Sequence, residues 1–168
     1  MASNALYAVK FRRRREGSTN YRKRLAFLKS GMPRLVVRLS NLYIRAQIVK
    51  SHNGQDSVLC SVNSKELSHS GWKHSFKNLP AAYLTGLLIG RECPVKEVVL
   101  DAGVSKPSSR VFAVLKGFVD AGKVVPHSDA SFPSADRLAG KHINEKVLKD
   151  VEVVKEKVLK DEKSKKRK

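Results

Sequence analysis

The stretch of sequence that decides the fold is RLVVRLSNLYIRAQIVKSHNGQDSVLCSVN, residues 34–63. Through most of it apolar residues alternate with polar ones, and a period of two is typical of strands that bury one face. The alternation stops at SHNGQD, where Asn53-Gly54 indicates a hairpin, because a type I′ turn needs positive φ at both central residues. We therefore predict a three-stranded antiparallel meander. Its strands are Arg34–Asn41, Leu42–Lys50 and Ser57–Asn63.

The two faces of this meander differ in chemistry. The apolar face, which we expect helices to cover, contains Leu35, Val37, Leu39, Leu42, Ile44, Ala46, Ile48, Val58, Cys60 and Val62. The other face displays Arg34, Arg38, Tyr43, Arg45 and Gln47. Cations, an aromatic ring and an amide together suit contact with an RNA backbone and stacking on bases. An ordinary solvated face explains the same pattern equally well, so the pattern by itself leaves both interpretations open.

The chain that follows the meander predicts helices packed on a mixed sheet, which makes the fold class α/β. One helix begins after Pro80, and its Gly86 and Gly90 indicate a close approach of helix and sheet. A β-α-β unit comes next, with parallel strands and a right-handed crossover. Its first strand is apolar throughout, so it is predicted to lie centrally and to be buried on both faces. The unit consists of Val98–Leu100, the helix Val111–Ala121 and Val124–Pro126.

A strongly basic segment, FRRRREGSTNYRKRLAFLKSG at residues 11–31, precedes the meander. Residues 1–17 have few apolar residues and no periodicity, so we predict an extended arm that is disordered until it binds. A short helix should follow, capped by Ser18 or Thr19 and ending near Gly31. Apolar residues at positions i, i+4 and i+7 predict the buried stripe of this helix. The stripe consists of Tyr21, Leu25 and Leu28.

The net charge of +19 is concentrated at one end of the chain. Residues 1–50 carry 13 Lys and Arg against one acidic residue, a net charge of +12, whereas residues 51–140 carry +2 and residues 141–168 carry +5. A basic extension beside a nearly neutral body is the electrostatic signature of nucleic-acid binding. No apolar run approaches the length of a membrane span, and no apolar signal-peptide core follows the first charges. The chain is therefore expected to be soluble and intracellular, without a membrane partner.

Residues that could carry catalysis or hold a metal do not cluster in the sequence. His69 and His74 have no further ligand group nearby, and the chain has no phosphate-binding loop motif. Cys60 and Cys93 lie far apart and are predicted to be free, buried thiols. A metal-dependent nuclease would need several converging carboxylates. We therefore expect no catalytic residue, no metal, no cofactor and no small-molecule substrate.

The C-terminal segment contains an internal repeat, because EKVLKD occurs at residues 145–150 and again at 156–161. A spacing of eleven residues corresponds to about 3.67 residues per helical turn, which is close to a straight helix. We predict an amphipathic helix, followed by the basic tail KSKKRK. Its apolar stripe consists of Val147, Val151, Val154 and Val158. The predicted organisation is a basic arm with a short helix at 1–32, a globular α/β RNA-binding domain at 33–143, and a charged helix with a tail at 144–168.

Several segments resemble those of a known ribosomal family. RRRREGSTNYRKRL and KSGMPRLVVRLSNLYIRAQIV are followed, in the family's order and spacing, by PAAYLTGLLIG, VVLDAG, RVFAVLKGFVDAGKVVPHSD and AGKHI. Over roughly residues 5–145 the sequence resembles the archaeal form of large-subunit ribosomal protein family eighteen, the universal 5S-rRNA-binding family. The resemblance implies a compact α/β body with a mixed sheet, an N-terminal extension that runs along RNA, and no enzymatic activity.

The resemblance also implies partners, a location and site residues. The main ligand would be 5S rRNA, with 23S rRNA and neighbouring large-subunit proteins nearby in the central protuberance of the cytoplasmic ribosome. RNA contact would fall on Arg12, Arg13, Arg14, Arg15, Tyr21, Arg22, Arg24, Arg34, Arg38, Asn41 and Arg45. Two alternatives remain: a free-standing RNA chaperone that binds any nucleic acid, and an RNase H-like nuclease, which would need the carboxylate cluster that the sequence lacks.

Overall fold

A four-stranded mixed sheet forms the centre of the protein. The computed structural model describes residues 8–52 and 54–160. The strands are β1 (Arg34–Leu39), β2 (Ile44–His52), β3 (Gln55–Asn63) and β4 (Val99–Asp101). Their spatial order is β3-β2-β1-β4; β2 is antiparallel to both neighbours, whereas β4 is parallel to β1. The predicted α/β fold class, with its mixed sheet and antiparallel meander, is confirmed.

Six α-helices and two short 3-10 helices, Ser64–Ser68 and Asp129–Ser131, accompany the sheet in the described part of the chain. The α-helices are α1 (Arg12–Arg15), α2 (Tyr21–Ser30), α3 (Leu79–Glu92), α4 (Arg110–Asp120), α5 (Ala135–Ala139) and α6 (Glu145–Lys160). The apolar face of the sheet is covered by α3 and α4, while α6 packs mainly on α3 and α5. Because α3 is apolar on nearly all sides, it can be enclosed between the sheet and the other helices. None of the described helices has the length and apolar character that a membrane span requires.

The helices α3 and α4 cross at a distance that leaves no room for side chains. A Cβ atom on Gly86 of α3 would lie 2.1 Å from the backbone oxygen of Val114. A Cβ atom on Gly117 of α4 would lie 2.1 Å from the backbone oxygen of Tyr83. Glycine is therefore required on both helices at the crossing. The prediction that Gly86 and Gly90 mark a helix–sheet contact is wrong, because both glycines face α4.

The β2–β3 pair contains an irregularity in register, and it changes the face of the sheet to which the first part of β3 directs its side chains. Ile48 pairs with Cys60, but the next residue, Val49, pairs with Val58, so Leu59 is an additional residue in β3. An additional residue shifts the alternation of faces by one position. Val58 is consequently 54% exposed, and the prediction that it faces the core is wrong.

Two further predicted core residues are exposed because the first two strands are shorter than predicted. β1 ends at Leu39, and β2 begins only at Ile44, so Leu42 lies in the connection between them. Leu39 and Leu42 are both exposed, and their assignment to the core is wrong. The rest of the predicted apolar face is buried or, at Cys60, half-buried. These residues are Leu35, Val37, Ile44, Ala46, Ile48, Cys60 and Val62.

The hairpin between β2 and β3 lies where the sequence predicts it. His52 and Gln55 are the last paired residues, which leaves a two-residue connection. Gly54 has a φ of 80°, the positive value that such a turn needs. Asn53, the other half of the predicted turn, lies outside the described residues.

The predicted β-α-β unit is only partly present. β4 lies at the edge of the sheet and its residues are half-buried, so the prediction of a central strand buried on both faces is wrong. After α4, Val124 forms a single parallel bridge with Glu97 in place of the predicted strand. Pro126 has no N–H group and cannot continue a hydrogen-bonded ladder, which limits the pairing to this point.

The C-terminal helix α6 shares the core of the body. The predicted stripe of four valines is buried along its whole length, because it faces α3 and α5. The helix and its stripe are confirmed, whereas the sequence pattern had left open what the stripe packs on. The basic tail that follows lies outside the described residues, and the division of the chain into three segments stays a prediction.

Shortening a valine on the buried side of α6 is expected to destabilise the protein. Val154→Ala should lower the free energy of unfolding by about 2 kcal/mol, through lost burial and the cavity that remains. Val153→Ala makes the same change at a neighbouring position that is 51% exposed, and it should cost less than about 0.5 kcal/mol. Urea titrations followed by the fluorescence of Trp72, the single tryptophan and a buried one, measure both. Equal effects would contradict the packing of α6 on the core.

Candidate nucleic-acid interface

The polar face of the sheet carries exposed cations where β1 ends and β2 begins. Arg38 and Arg45 are directly opposite each other in the β1–β2 ladder, and both are exposed. Like charges placed opposite each other repel, so this pair is suited to a negatively charged ligand. Farther along β2, Gln47 donates through Nε2 to Ser61 Oγ at 3.3 Å.

A shallow depression of about 220 Å³ joins this arginine pair to an aromatic ring. Its lining includes Arg38, Tyr43, Arg45 and Asn63. The Tyr43 ring is half-buried, and its centre lies 6.0 Å from that of Phe76. A supported ring beside two guanidinium groups offers a stacking surface for a base and counterions for its phosphate. Asn41 is exposed in the connection that leads into Tyr43.

Arg34 differs from the other predicted RNA ligands because it is buried. Its side chain is 5% exposed, and Nη2 donates to Ser51 Oγ at 3.0 Å and to Asp56 Oδ1 at 2.9 Å. Its Nη1 lies 3.7 Å from Asp101 Oδ2. The hydrogen bond from Ser51 and the charge of Arg34 hold the pKa of Asp56 below its ordinary value. Arg34 therefore stabilises the sheet, and its burial argues against the predicted contact with RNA.

The described part of the basic segment contains two short helices, α1 and α2. α1 is a single helical turn made of the four consecutive arginines, Arg12–Arg15, so the prediction of an extended arm is wrong for these residues. All four side chains are exposed, and Arg12 Nε lies 3.4 Å from Glu16 Oε1. Residues 1–7 of the predicted arm lie outside the described part of the chain. The other predicted ligands of the arm are exposed on α2; they are Tyr21, Arg22 and Arg24.

α2 turns a different side toward the sheet from the one that its apolar pattern predicts. Its N-cap is Asn20, whose Oδ1 accepts a hydrogen bond from the Lys23 backbone N–H at 3.1 Å, rather than Ser18 or Thr19. The side that faces the sheet consists of Asn20, Lys23, Arg24 and Phe27. The predicted buried stripe of Tyr21, Leu25 and Leu28 is wrong, since all three are exposed. An open groove separates α2 from the body, so packing does not force an apolar side inward.

This groove has a volume of about 350 Å³ and lies between α2 and the C-terminal ends of β1 and β4. Its cations come from both sides and are Arg13, Lys23, Arg24 and Arg38. Its apolar lining includes Val37, Leu39, Leu100 and Val111. Arg38 also lines the depression beside Tyr43. Leu39 lines both as well, so Arg38 is the charged side chain that connects the surface of the arm with the surface of the sheet.

Sequence reasoning missed two kinds of residue at this interface. Lys23 and Phe27 line the groove although neither was predicted as a site residue. A signal was present, because they follow Asn20 at the i+3 and i+7 spacing of one helix side. Asp56 and Asp101, which pair with Arg34, could not be found in this way, since they come from β3 and β4 and are distant in sequence.

Other chemically reactive groups in the described part of the body include a paired carboxylate and two free thiols. No group of three or more potential metal-ligating side chains occurs within residues 8–52 and 54–160. Asp120 accepts a hydrogen bond from the Tyr83 hydroxyl at 2.9 Å and pairs with Lys116 Nζ at 2.9 Å. Cys60 and Cys93 are free thiols, as predicted, although Cys60 is only half-buried. Burial raises the pKa of Cys60 to about 11, so its thiol stays protonated at neutral pH.

Comparison with known proteins identifies a ribosomal family. A family model described as ribosomal large subunit proteins 60S L5 and 50S L18 matches residues 5–97. A relative from Korarchaeum cryptofilum is 50% identical over 148 residues, which cover 85% of this chain and 76% of the relative. Relatives from Haloarcula marismortui and Methanococcus maripaludis are 46% and 49% identical; the matches cover 86% and 85% of this chain and 80% and 77% of the relatives. All three carry the name large ribosomal subunit protein uL18.

These matches define the class as structural proteins of the large ribosomal subunit. Within that class, the chain belongs to the uL18 family, which confirms the resemblance found in the sequence. The protein is accordingly a constituent of a ribonucleoprotein that serves translation, and it is located in the large ribosomal subunit in the cytoplasm.

Substitution of the two arginines at opposite ends of β1 should separate fold from surface. Arg34→Ala leaves two carboxylates beside a buried site and should lower the free energy of unfolding by about 3 kcal/mol. Arg38→Ala removes a side chain that is 55% exposed, and its effect should stay below about 1 kcal/mol. Urea unfolding followed by Trp72 fluorescence compares the two variants. Similar stabilities would show that the Arg34 network does not stabilise the sheet.

Proposed function

We propose that the protein binds 5S rRNA and helps to attach it to 23S rRNA in the central protuberance of the large subunit. The observation that carries this proposal is the continuity of the basic surface, since Arg38 belongs both to the groove beside α2 and to the depression beside Tyr43. An RNA that follows this surface would contact the cations of the arm and the sheet without interruption. Such a path suits a folded RNA, which is recognised through its shape, phosphates and exposed loops.

In this proposal the arm and the sheet contribute different contacts. The exposed guanidinium groups of Arg12–Arg15, with Tyr21, Arg22 and Arg24 on α2, lie along the RNA backbone. An arginine fork binds phosphate through two parallel hydrogen bonds, which a lysine cannot do. On the sheet, Arg38 and Arg45 bind phosphate while Tyr43 stacks on an unpaired base, with Asn41 and Gln47 nearby. Arg34 is left out of the RNA-binding set because of its burial.

The remaining parts of the chain have supporting roles in this proposal. The body at residues 33–143 presents the sheet surface, and the arm with its short helix at residues 1–32 adds charge. The segment at residues 144–168 takes no part in the main RNA contact. The packing of α6 on α3 and α5 supports this last point. A catalytic role is not proposed, because Asp101 and Asp120 are held by separate partners instead of converging on one site.

A binding comparison tests whether 5S rRNA is a specific ligand. The full-length protein should bind 5S rRNA more tightly than an RNA of the same length and scrambled sequence, since a defined surface favours a defined RNA shape. Fluorescence titrations at moderate salt measure both affinities. Equal affinities would contradict the proposal and favour the free-standing RNA chaperone.

The arginine run should contribute chiefly through phosphates. Replacing Arg12, Arg13, Arg14 and Arg15 with alanine should lower the slope of log K against log [salt] by roughly three units, at about 0.7 per phosphate contact. The measurement is a series of binding isotherms at several salt concentrations. The folded state should persist, because the four side chains are exposed and none of them packs in the core.

A matched control for this variant removes the same charge elsewhere. Lys146, Lys149, Lys157 and Lys160 are exposed on α6, and their replacement with alanine should change the slope much less, since α6 lies outside the proposed interface. If both quadruple variants lose the same slope, binding responds to net charge alone. The assignment of the arm to RNA would then be wrong.

A further inference from the structure

Asp101 is the point at which the buried and the exposed arginine of β1 meet. It ends β4 and lies beside Val36 in the parallel β1–β4 ladder, between the positions of Arg34 and Arg38. Its Oδ2 is 3.4 Å from Arg38 Nη2 and 3.7 Å from Arg34 Nη1. Its Oδ1 accepts a hydrogen bond from the Gly103 N–H at 3.1 Å. The Asp101 side chain is 16% exposed. Its contacts with two arginines and one backbone N–H restrict the position of the carboxylate.

The Arg38 guanidinium is held from the protein side. Nη1 donates to the Val37 oxygen at 2.9 Å and to the Asp101 backbone oxygen at 3.4 Å, and Nη2 donates to the Asp101 carboxylate at 3.4 Å. An arginine has five N–H donors. Two of the five therefore have no acceptor among residues 8–52 and 54–160, and they remain for a ligand. The side chain is more than half exposed at the junction of the groove and the depression.

We propose that Asp101 is a positioning residue of the RNA site, which holds the Arg38 guanidinium in the orientation that binds an RNA phosphate. This inference rests on the proposed function. A free arginine side chain loses rotamer freedom when it binds, and that loss weakens binding. A side chain that is already fixed by a carboxylate and two backbone oxygens loses less. The Arg38 guanidinium is thereby oriented before RNA binds, at the junction of the groove and the depression.

Positioning and simple charge predict opposite effects for the removal of this carboxylate. A negative charge beside the interface repels phosphate, so electrostatics alone predicts that Asp101→Asn tightens RNA binding. Loss of positioning predicts that the same substitution weakens it. The sign of the change therefore distinguishes the two effects without an accurate estimate of either.

The test is a double-substitution cycle in the full-length protein with 5S rRNA. Asp101→Asn should weaken binding by about threefold or more, a typical coupling for residues in contact. In an Arg38→Ala background the same substitution should change binding little, because the side chain that it positions is gone. Tighter or unchanged binding by Asp101→Asn would overturn the proposal. An equal loss in the Arg38→Ala background would also overturn it, since Asp101 would then act through the fold.

Asp56→Asn is the matched control for loss of a carboxylate. Asp56 pairs with Arg34, as Asp101 does, and its removal takes away the same charge. Asp56 accepts hydrogen bonds from Ser51 and Arg34 and also feels the charge of Arg24, but within the described residues it forms no hydrogen bond or ion pair with Arg38. Asp56→Asn should therefore leave RNA binding unchanged or tighten it. A loss equal to that of Asp101→Asn would contradict the specific role of Asp101.

Two further measurements keep the proposal testable. Thermal unfolding by circular dichroism shows whether each variant is folded; if Asp101→Asn is not, Asp101→Glu replaces it in the same cycle. That variant keeps the charge but moves the carboxylate, so a loss that disappears in the Arg38→Ala background supports the proposal and unchanged binding overturns it. The cycle is repeated with the scrambled RNA. If wild-type protein shows no preference for 5S rRNA, the proposed function fails, while the coupling of residues 101 and 38 is still measured.

Discussion

A guanidinium group inside a protein must be neutralised where it lies, and Arg34 imposes this requirement on the whole sheet. One carboxylate comes from β3 and the other from β4, so the two edge strands are tied to β1 through a single side chain. β4 has only three residues, and few backbone hydrogen bonds are available to place it. The ion pair between Arg34 and Asp101 helps to hold β4 in place. It also holds the start of the loop that borders the groove. Ion pairs between side chains thus help to hold the strands together on the polar face of the sheet.

The two sides of the sheet serve different purposes as a result. On one side, glycines let α3 and α4 meet backbone to backbone, and α6 closes the core over α3. This side is apolar, and its residues are buried in one continuous core. On the other side, charged residues at the ends of those strands keep a fixed spacing, which a functional surface requires. The arm adds the exposed charges of α1 and α2 to a site whose central residues lie on the sheet.

Much of the fold could be predicted from the sequence because its signals were local. The alternation in residues 34–63 located the meander, the glycine at position 54 located the hairpin, and the valine repeat located α6. The failures arose where a distant contact decided the outcome. One additional residue in β3 moved the Val58 side chain to the other face of the sheet. The contact of Gly86 with α4 could not be read from the sequence of α3 alone.

The candidate site was harder to predict, for the same reason. A period of two correctly separated the faces of β1, but it could not tell that Arg34 would be covered and Arg38 exposed. That difference depends on two carboxylates supplied from elsewhere in the chain. In α2 the apolar pattern selected the wrong side, because the helix borders an open groove and not the core.

The irregularity in β3 also bears on the protein before it is incorporated into a ribosome. β3 is an edge strand, and Val58 and Leu59 are exposed on it, which is the combination that lets copies of a protein join edge to edge. The additional residue interrupts the regular spacing of that edge, Asp56 adds a charge to it, and a net charge of +19 makes separate copies repel each other. We therefore expect a newly made chain to resist aggregation before it joins a ribosome, and the charge that would bind RNA in the proposed function also keeps separate copies apart.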